Sequence, residues 1–255
     1  MSTLEIEKKP GGILLVSLNR PESLNAINSH MMRDLLDLWQ NIEEKTRCII
    51  LTGKGKAFSA GADLKERNGL SEKTWRAQHK ILQQAMKAMI SCPTPIIAAV
   101  NGPAFGGGLE LLLGSDFAYA SETATFGFPE VKLGIIPGAM GTQNLPRAAG
   151  IRRAKEICFT GTTFSAEQAL ECGVINKICA PDELMAAIFS VAEKICTNAP
   201  IAVRNVKKAL NASQPDIIAG YKKELKYYNE LLSTKDRLEG VAAFNEKRKP
   251  EFTGK

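Results

Sequence analysis

The residues best suited to chemistry are two glycine-rich turns and two glutamates. Ser59-Ala60-Gly61-Ala62-Asp63 and Gly106-Gly107-Gly108-Leu109-Glu110 each follow a stretch that reads as a strand. Glycine lets a chain turn tightly and lets a ligand approach peptide N–H groups. A helix N-terminus adds unpaired donors and a partial positive charge. Two such turns side by side would aim two N–H groups at one oxygen, an oxyanion hole able to hold enolate-like charge. Neither turn is a G-x-G-x-x-G fingerprint, and no G-x-x-x-x-G-K-[ST] loop is present. Glu110 follows Gly107 by about one helical turn and is flanked by Leu109 and Leu111–Leu113. Burying a carboxylate among leucines is costly without a partner or a purpose. Glu130 ends the apolar stretch Phe126-Gly127-Phe128-Pro129. Two acids meeting in one dry pocket would drive their pKa values apart, share a proton and serve as general acid and base on a water molecule. The residues alone leave alternatives open: purely structural glycine turns, a capping or salt-bridged Glu110, a solvent-exposed Glu130.

Other chemistries are poorly supported. The only histidines, His30 and His79, fall in stretches that read as helix, so a multi-histidine metal site is excluded. A Ser-His-Asp triad would need one of them, and no G-x-S-x-G accompanies them. The six cysteines form no C-x-x-C pair, and reduced, mostly buried thiols are expected. The net charge of +6 favours anionic partners (nucleotides, acyl phosphates, nucleic acid), with a solvated basic surface as the plain alternative. No apolar run approaches the eighteen or so residues of a membrane span, so no membrane partner is expected. The opening MSTLEIEKKPGG has neither the apolar core of a signal peptide nor the acid-poor character of a transit peptide. The expected location is cytoplasmic, or the mitochondrial matrix if a transit peptide has been removed.

The elements that must position these residues can be read from periodicity. Strands are predicted over 3–7, 13–19, 47–52, 95–100 and 116–120, and a short one at Val174–Ile178. Asn28 or Ser29 caps a helix reaching Glu44, in which Met32, Leu35, Leu36, Trp39 and Ile42 share a face. A second helix spans 71–90 and stops before Pro93 and Pro95. Beyond about 140 the pattern is mostly helical, with helices over 182–198, 200–211, 215–232 and 235–248. Strands alternating with helices imply an α/β core, and the helical last third implies a cap, arm or assembly module.

Together these segments resemble the enoyl-CoA hydratase/isomerase (crotonase) superfamily over nearly the whole chain. The resemblance is carried by NRPESLNAI from Asn19, FSAGADLKER from Phe58 and PIIAAVNGPAFGGGLELLLGSD from Pro95. FGFPEVKLGIIPGAMGTQNLPR from Phe126 and STKDRLEGVAAFNEKRKPEF from Ser233 complete it. It implies a spiral of ββα repeats over 1–195 and a C-terminal helical module over 196–255 that builds trimers or dimers of trimers. It implies an acyl-CoA thioester substrate, coenzyme A being part of the substrate, and no metal or redox cofactor. It places the oxyanion-hole N–H groups at Ala62 and Gly107 and the hydratase acids at Glu110 and Glu130. It puts Ala60, Asp63, Leu64 and Lys65 beside the substrate or its CoA, with Asp63 shaping the loop. Phe244 and Lys247 would reach the CoA of a neighbouring subunit.

Keeping both glutamates points to hydration of a trans-2-enoyl-CoA, or its reverse. The alternatives within the fold are a methylglutaconyl-CoA hydratase, whose branch ADLKER, GGGLEL and TKDRLEG resemble, an enoyl-CoA isomerase, and a decarboxylase of this fold. An RNA-binding protein of this fold is the alternative of another class, suggested by the basic charge and the clusters Lys45-Thr46-Arg47 and Lys247-Arg248-Lys249. Met140 and Asn144 depart from the family's G-G-G-T-Q-R-L pattern, which bears on the shape of the acyl wall.

Overall fold

The computed structural model describes residues 3–212, 234–236, 239, 243, 246 and 248–255. The helix predicted over 215–232, most of that over 235–248, and the candidate residues Phe244 and Lys247 lie outside the described residues.

Strands β1 (Leu4–Lys9) and β2 (Ile13–Leu18) form an antiparallel hairpin. Helix α1 (Ser29–Gln40) begins at Asn28, whose side chain accepts the Met31 N–H. It ends four residues before the expected Glu44. Strand β3 (Cys48–Gly53) leads through a turn to the one-turn helix α2 (Leu64–Arg67) and the long α3 (Glu72–Ser91), capped by Ser71. Then follow β4 (Ile96–Val100), β5 (Ala104–Phe105) and α4 (Gly107–Gly114). Next come β6 (Phe117–Ser121), β7 (Thr125–Gly127), a 3₁₀ turn at Pro129–Leu133 and α5 (Gly141–Thr160). The described core closes with β8 (Thr163–Ser165), α6 (Ala166–Glu171), β9 (Lys177–Cys179), α7 (Leu184–Cys196) and α8 (Pro200–Asn211).

The strands sort into two sheets. The larger has the order β1-β2-β3-β4-β6-β9 and is parallel from β2 onward. The smaller has the order β5-β7-β8, extended by a bridge between Ser59 and Ala104. The units β4-β5-α4 and β6-β7-α5 each place one strand in the large sheet, the next in the small sheet, and then a helix. The sequence reading missed β5, β7 and β8. Strands of two or three residues are too short to show a period.

The central strands are buried on both faces, which is why ILLVSL and IIAAV read as continuous apolar runs. Alternate residues feed two cores. Val16, Leu18, Ile49, Leu51, Ala98 and Val100 join α1, α3 and α4 in the larger core. Ile13, Leu15, Cys48, Ile50, Ile97 and Ala99 pack against Leu184, Ile188 and Ala192 of α7. The six cysteines are free thiols inside or beside these cores. No single described helix is long and apolar enough to cross a membrane.

This frame delivers β3 and β4 side by side, so the two glycine-rich turns leave from neighbouring carboxyl ends of parallel strands. Ligands of open parallel sheets gather at such ends.

Candidate active site

The first turn is held by the loop before α1. Asn25 is fully buried with φ +54, and its amide donates to the carbonyls of Lys54 and Ala57, each at 2.9 Å. Its side-chain oxygen accepts the Arg20 N–H at 2.8 Å, and its carbonyl accepts the Ser59 hydroxyl at 2.8 Å. The Ala60 N–H donates to Leu24, the Ile27 N–H to Gly61, and the Asp63 N–H to Ile27. The NRPESLNAI segment thus straps the turn residue by residue. Asn25→Ala is expected to cost about 2–3 kcal/mol, because it strips buried carbonyls of their donors and leaves alanine at positive φ. Urea unfolding of the variant beside the wild type measures this.

Asp63 does shape the loop. Its carboxylate caps α2 through the Lys65 and Glu66 N–H groups and pairs with Arg20 at 2.9 Å. Burial works against ionisation there, but the Arg20 guanidinium and the Glu66 N–H hold the Asp63 carboxyl below its ordinary range.

The strapping leaves one donor out. Among the described residues the Ala62 N–H has no acceptor, and neither has the Gly107 N–H at the first position of α4. The two turns touch. A Cβ built on Gly61 would lie 3.2 Å from the Gly107 nitrogen, and one on Gly107 would lie 3.7 Å from the Ala62 nitrogen. Close approach is also required at Gly108, where a Cβ would sit 2.4 Å from the Ser59 carbonyl oxygen.

Both N–H groups line a cavity of about 760 Å³, together with Ala60, Leu64, Glu110 and Glu130. The side chains expected to meet therefore do meet in one cavity. Glu110 is 3 % exposed, and its Oε1 accepts the Ala139 N–H at 2.7 Å and the Gly141 N–H at 2.9 Å. Burial, helped by the Glu130 charge, pushes its pKa up to about 7 against the pull of those two N–H groups and of Arg67. Glu130 is 8 % exposed, its pKa is also raised by burial, and its Oε2 is buried without a hydrogen-bond partner among the described residues. Two raised acids, one tied to backbone and one with an unpaired oxygen, can pass a proton between them and a small molecule. The paired N–H groups can hold one developing negative oxygen.

Lys65 is exposed and lies outside the cavity wall, as does Asp63. Asn144 faces a different cavity beside Pro95 and Lys207, and Met140 is not part of the site wall. Met140 instead starts α5 at φ +75, between the two residues whose N–H groups hold Glu110.

The sequence reading missed Arg67, Trp75 and His79, which line the same cavity. Treating His79 as an ordinary helix residue overlooked its Nε2–H, which donates to the Gly138 carbonyl at 2.9 Å and anchors the loop carrying Ala139. A usable signal existed for Arg67, which falls one helical turn after Asp63.

Fold and cavity together define an α/β protein with a buried acid–base pair facing two unpaired backbone donors. The chain belongs to the enoyl-CoA hydratase/isomerase family, whose family model matches residues 8–255. The short-chain-enoyl-CoA hydratase of Clostridium acetobutylicum is 40% identical over 250 residues, covering 96% of each chain. The Bacillus subtilis protein YngF is 45% identical over 244 residues, covering 94% of each. The crystal structure of the enoyl-CoA hydratase from Bacillus anthracis superposes with a TM-score of 0.96 at 42% identity, covering 99% of this chain and 100% of that one. The ββα spiral is therefore the crotonase fold that the motifs implied.

Proposed function

We propose that the protein is an enoyl-CoA hydratase, adding water across the double bond of a trans-2-enoyl-CoA or running the reverse dehydration. The observation that carries this is the convergence of Glu110 and Glu130 in one cavity with the unpaired Ala62 and Gly107 N–H groups. The two N–H groups receive the thioester oxygen and draw electron density from the β-carbon. Glu110, held by Ala139 and Gly141, takes a proton from water as the water oxygen bonds to that carbon. The electron pair of the double bond moves toward the thioester oxygen. The proton on Glu130 then goes to the α-carbon, and the proton on Glu110 passes back to restore Glu130. Coenzyme A enters only as part of the substrate. Ala60 and Leu64 border its path, Lys65 stands outside the wall within the same turn, and Phe244 and Lys247 would come from a neighbouring subunit of a trimer.

The test is turnover of crotonyl-CoA, followed by loss of enoyl absorbance, beside turnover of a trans-3-enoyl-CoA. Fast hydration with slow double-bond migration supports the hydratase. The opposite ratio makes it an isomerase, and no turnover of either by protein that binds CoA esters ends the hydratase reading. RNA binding that falls steeply with salt would then bring the nucleic-acid reading forward.

The pH dependence follows from Glu110. The base must be ionised, and its pKa stands near 7 in the free site. The kcat/KM for hydration is expected to rise about tenfold per pH unit below that value, pass through a maximum, and fall at higher pH where Glu130 loses the proton it must donate. A profile already flat from pH 5 would remove Glu110 as the base.

A further inference from the structure

Glu110 draws its two backbone partners from different supports. Its Oε1 accepts the Ala139 N–H at 2.7 Å and the Gly141 N–H at 2.9 Å. Gly141 opens α5, so the helix fixes that donor. Ala139 belongs to the loop before it. Among the described residues, residues 136–138 of that loop make a single hydrogen bond to the rest of the fold, in which the His79 Nε2–H donates to the Gly138 carbonyl at 2.9 Å. The ring is seated closely. A Cβ built on Gly138 would lie 2.6 Å from His79 Nε2 and 2.9 Å from Cε1, so a side chain there would drive the ring off its carbonyl.

The Gly138 carbonyl and the Ala139 N–H are the two ends of one planar peptide group. His79 therefore reaches Glu110 through a single rigid unit, Nε2–H to Gly138 O and then Ala139 N–H to Glu110 Oε1. The first bond fixes the plane and hence the direction of the N–H. A hydrogen bond accepted at the carbonyl also polarises the peptide and strengthens the bond its N–H donates. A carbonyl oxygen only accepts, so Nε2 carries the ring hydrogen and Nδ1 of the neutral ring is left to accept. Gln83, one turn along α3, places its amide nitrogen 3.4 Å from Nδ1, which favours that tautomer. The charged and titratable groups that act on Glu110 from other elements are Arg67 of α2 and Glu130 of the 3₁₀ turn, and Cys158 of α5 feels the Glu110 charge in return. Burial and Glu130 disfavour the carboxylate, whereas Arg67 and the two N–H groups favour it.

We infer that His79 is a positioning residue for the base: through the Gly138–Ala139 peptide it holds one of the two N–H donors on Glu110 and so favours the ionised carboxylate. This role deepens the hydratase reading; its rate test rests on that reading, and its titration does not.

Three variants separate this role from packing. His79→Leu removes the donor, His79→Gln supplies an amide N–H in its place, and Gly138→Ala displaces the ring with the histidine still present. The Glu110 carboxyl, assigned with Glu110→Gln, is titrated in each by ¹³C NMR. His79→Leu is expected to raise the titration midpoint by about one pH unit, the effect of weakening a hydrogen bond to a charged group. Gly138→Ala is expected to raise it similarly, and His79→Gln to restore at least half of the shift. In turnover of crotonyl-CoA, the acid limb of kcat/KM is expected to move up by the same amount in His79→Leu, with KM nearly unchanged. A midpoint that stays at the wild-type value in His79→Leu overturns the role, whatever happens to the rate. So does a His79→Gln protein indistinguishable from His79→Leu, which would make His79 a wall residue only. A raised midpoint in His79→Leu, with no hydration of enoyl thioesters by the wild type, would uphold the positioning role and refute the hydratase.

Discussion

Glu130→Gln is expected to lower kcat for crotonyl-CoA hydration by about 10³-fold while the protein stays folded. The substitution keeps shape and volume and removes only the exchangeable acid proton. Glu130 is well placed to show this. Its Oε1 lies against Gly106, where an added Cβ would come within 3.0 Å, and its Oε2 has no partner among the described residues. No structural hydrogen bond to Oε2 is lost, so stability should change little. A second readout separates a chemical role from a packing role. Glu130 must carry a proton to donate it, so the wild-type pH–rate profile should fall on the alkaline side where Glu130 ionises, and that fall should vanish in the variant while the acid limb set by Glu110 stays. A variant that retains more than a tenth of wild-type activity, or whose residual activity keeps the alkaline fall, would show that Glu130 is not the proton donor.

Much of this site could be read before any coordinates, for particular reasons. Glu110 announced itself because leucines on both sides left its carboxylate nowhere to go but inward. The glycine turns announced themselves because both followed apolar runs that could only be central strands. What could not be read was how the pieces are tied together. Asn25 looks like any loop asparagine until its amide is seen bridging the Lys54 and Ala57 carbonyls, 29 and 32 residues away. The Ala139 and Gly141 N–H groups that hold Glu110 belong to backbone, and backbone donors carry no side-chain signature. His79 and Trp75 occupy a face of α3 whose exposure depends on the loop at 133–139 folding over it. Arg67 was hidden by its neighbour. In Leu64-Lys65-Glu66-Arg67 the lysine was placed beside the substrate or its CoA, but of the two basic residues only the arginine lines the cavity. Long-range closure, rather than local propensity, is what a single sequence conceals.

The same closure makes Gly61→Ala the sharpest test of the two-turn arrangement. Gly61 has φ +88 and lies where the first turn meets the second. A Cβ there would come within 2.6 Å of the Phe105 carbonyl oxygen and 3.2 Å of the Gly107 nitrogen. Neither neighbour is a flexible side-chain end, so the turns must separate or rotate. Either movement takes the Ala62 and Gly107 N–H groups out of register for a shared oxygen. Loss of one such donor costs roughly 10²–10³ in rate, and disturbing both should reach the upper part of that range. Strain alone would be a weaker explanation, and Gly11→Ala tests it. Gly11 also has positive φ (+74), but a Cβ there meets nothing within 4 Å, in the hairpin between β1 and β2. Both variants should lose about 1 kcal/mol of stability from the backbone alone, with Gly61→Ala losing more through the clash. Only Gly61→Ala should lose activity. Equal, small losses of activity in the two variants would mean that the Ala62 and Gly107 donors do not act together on the thioester oxygen.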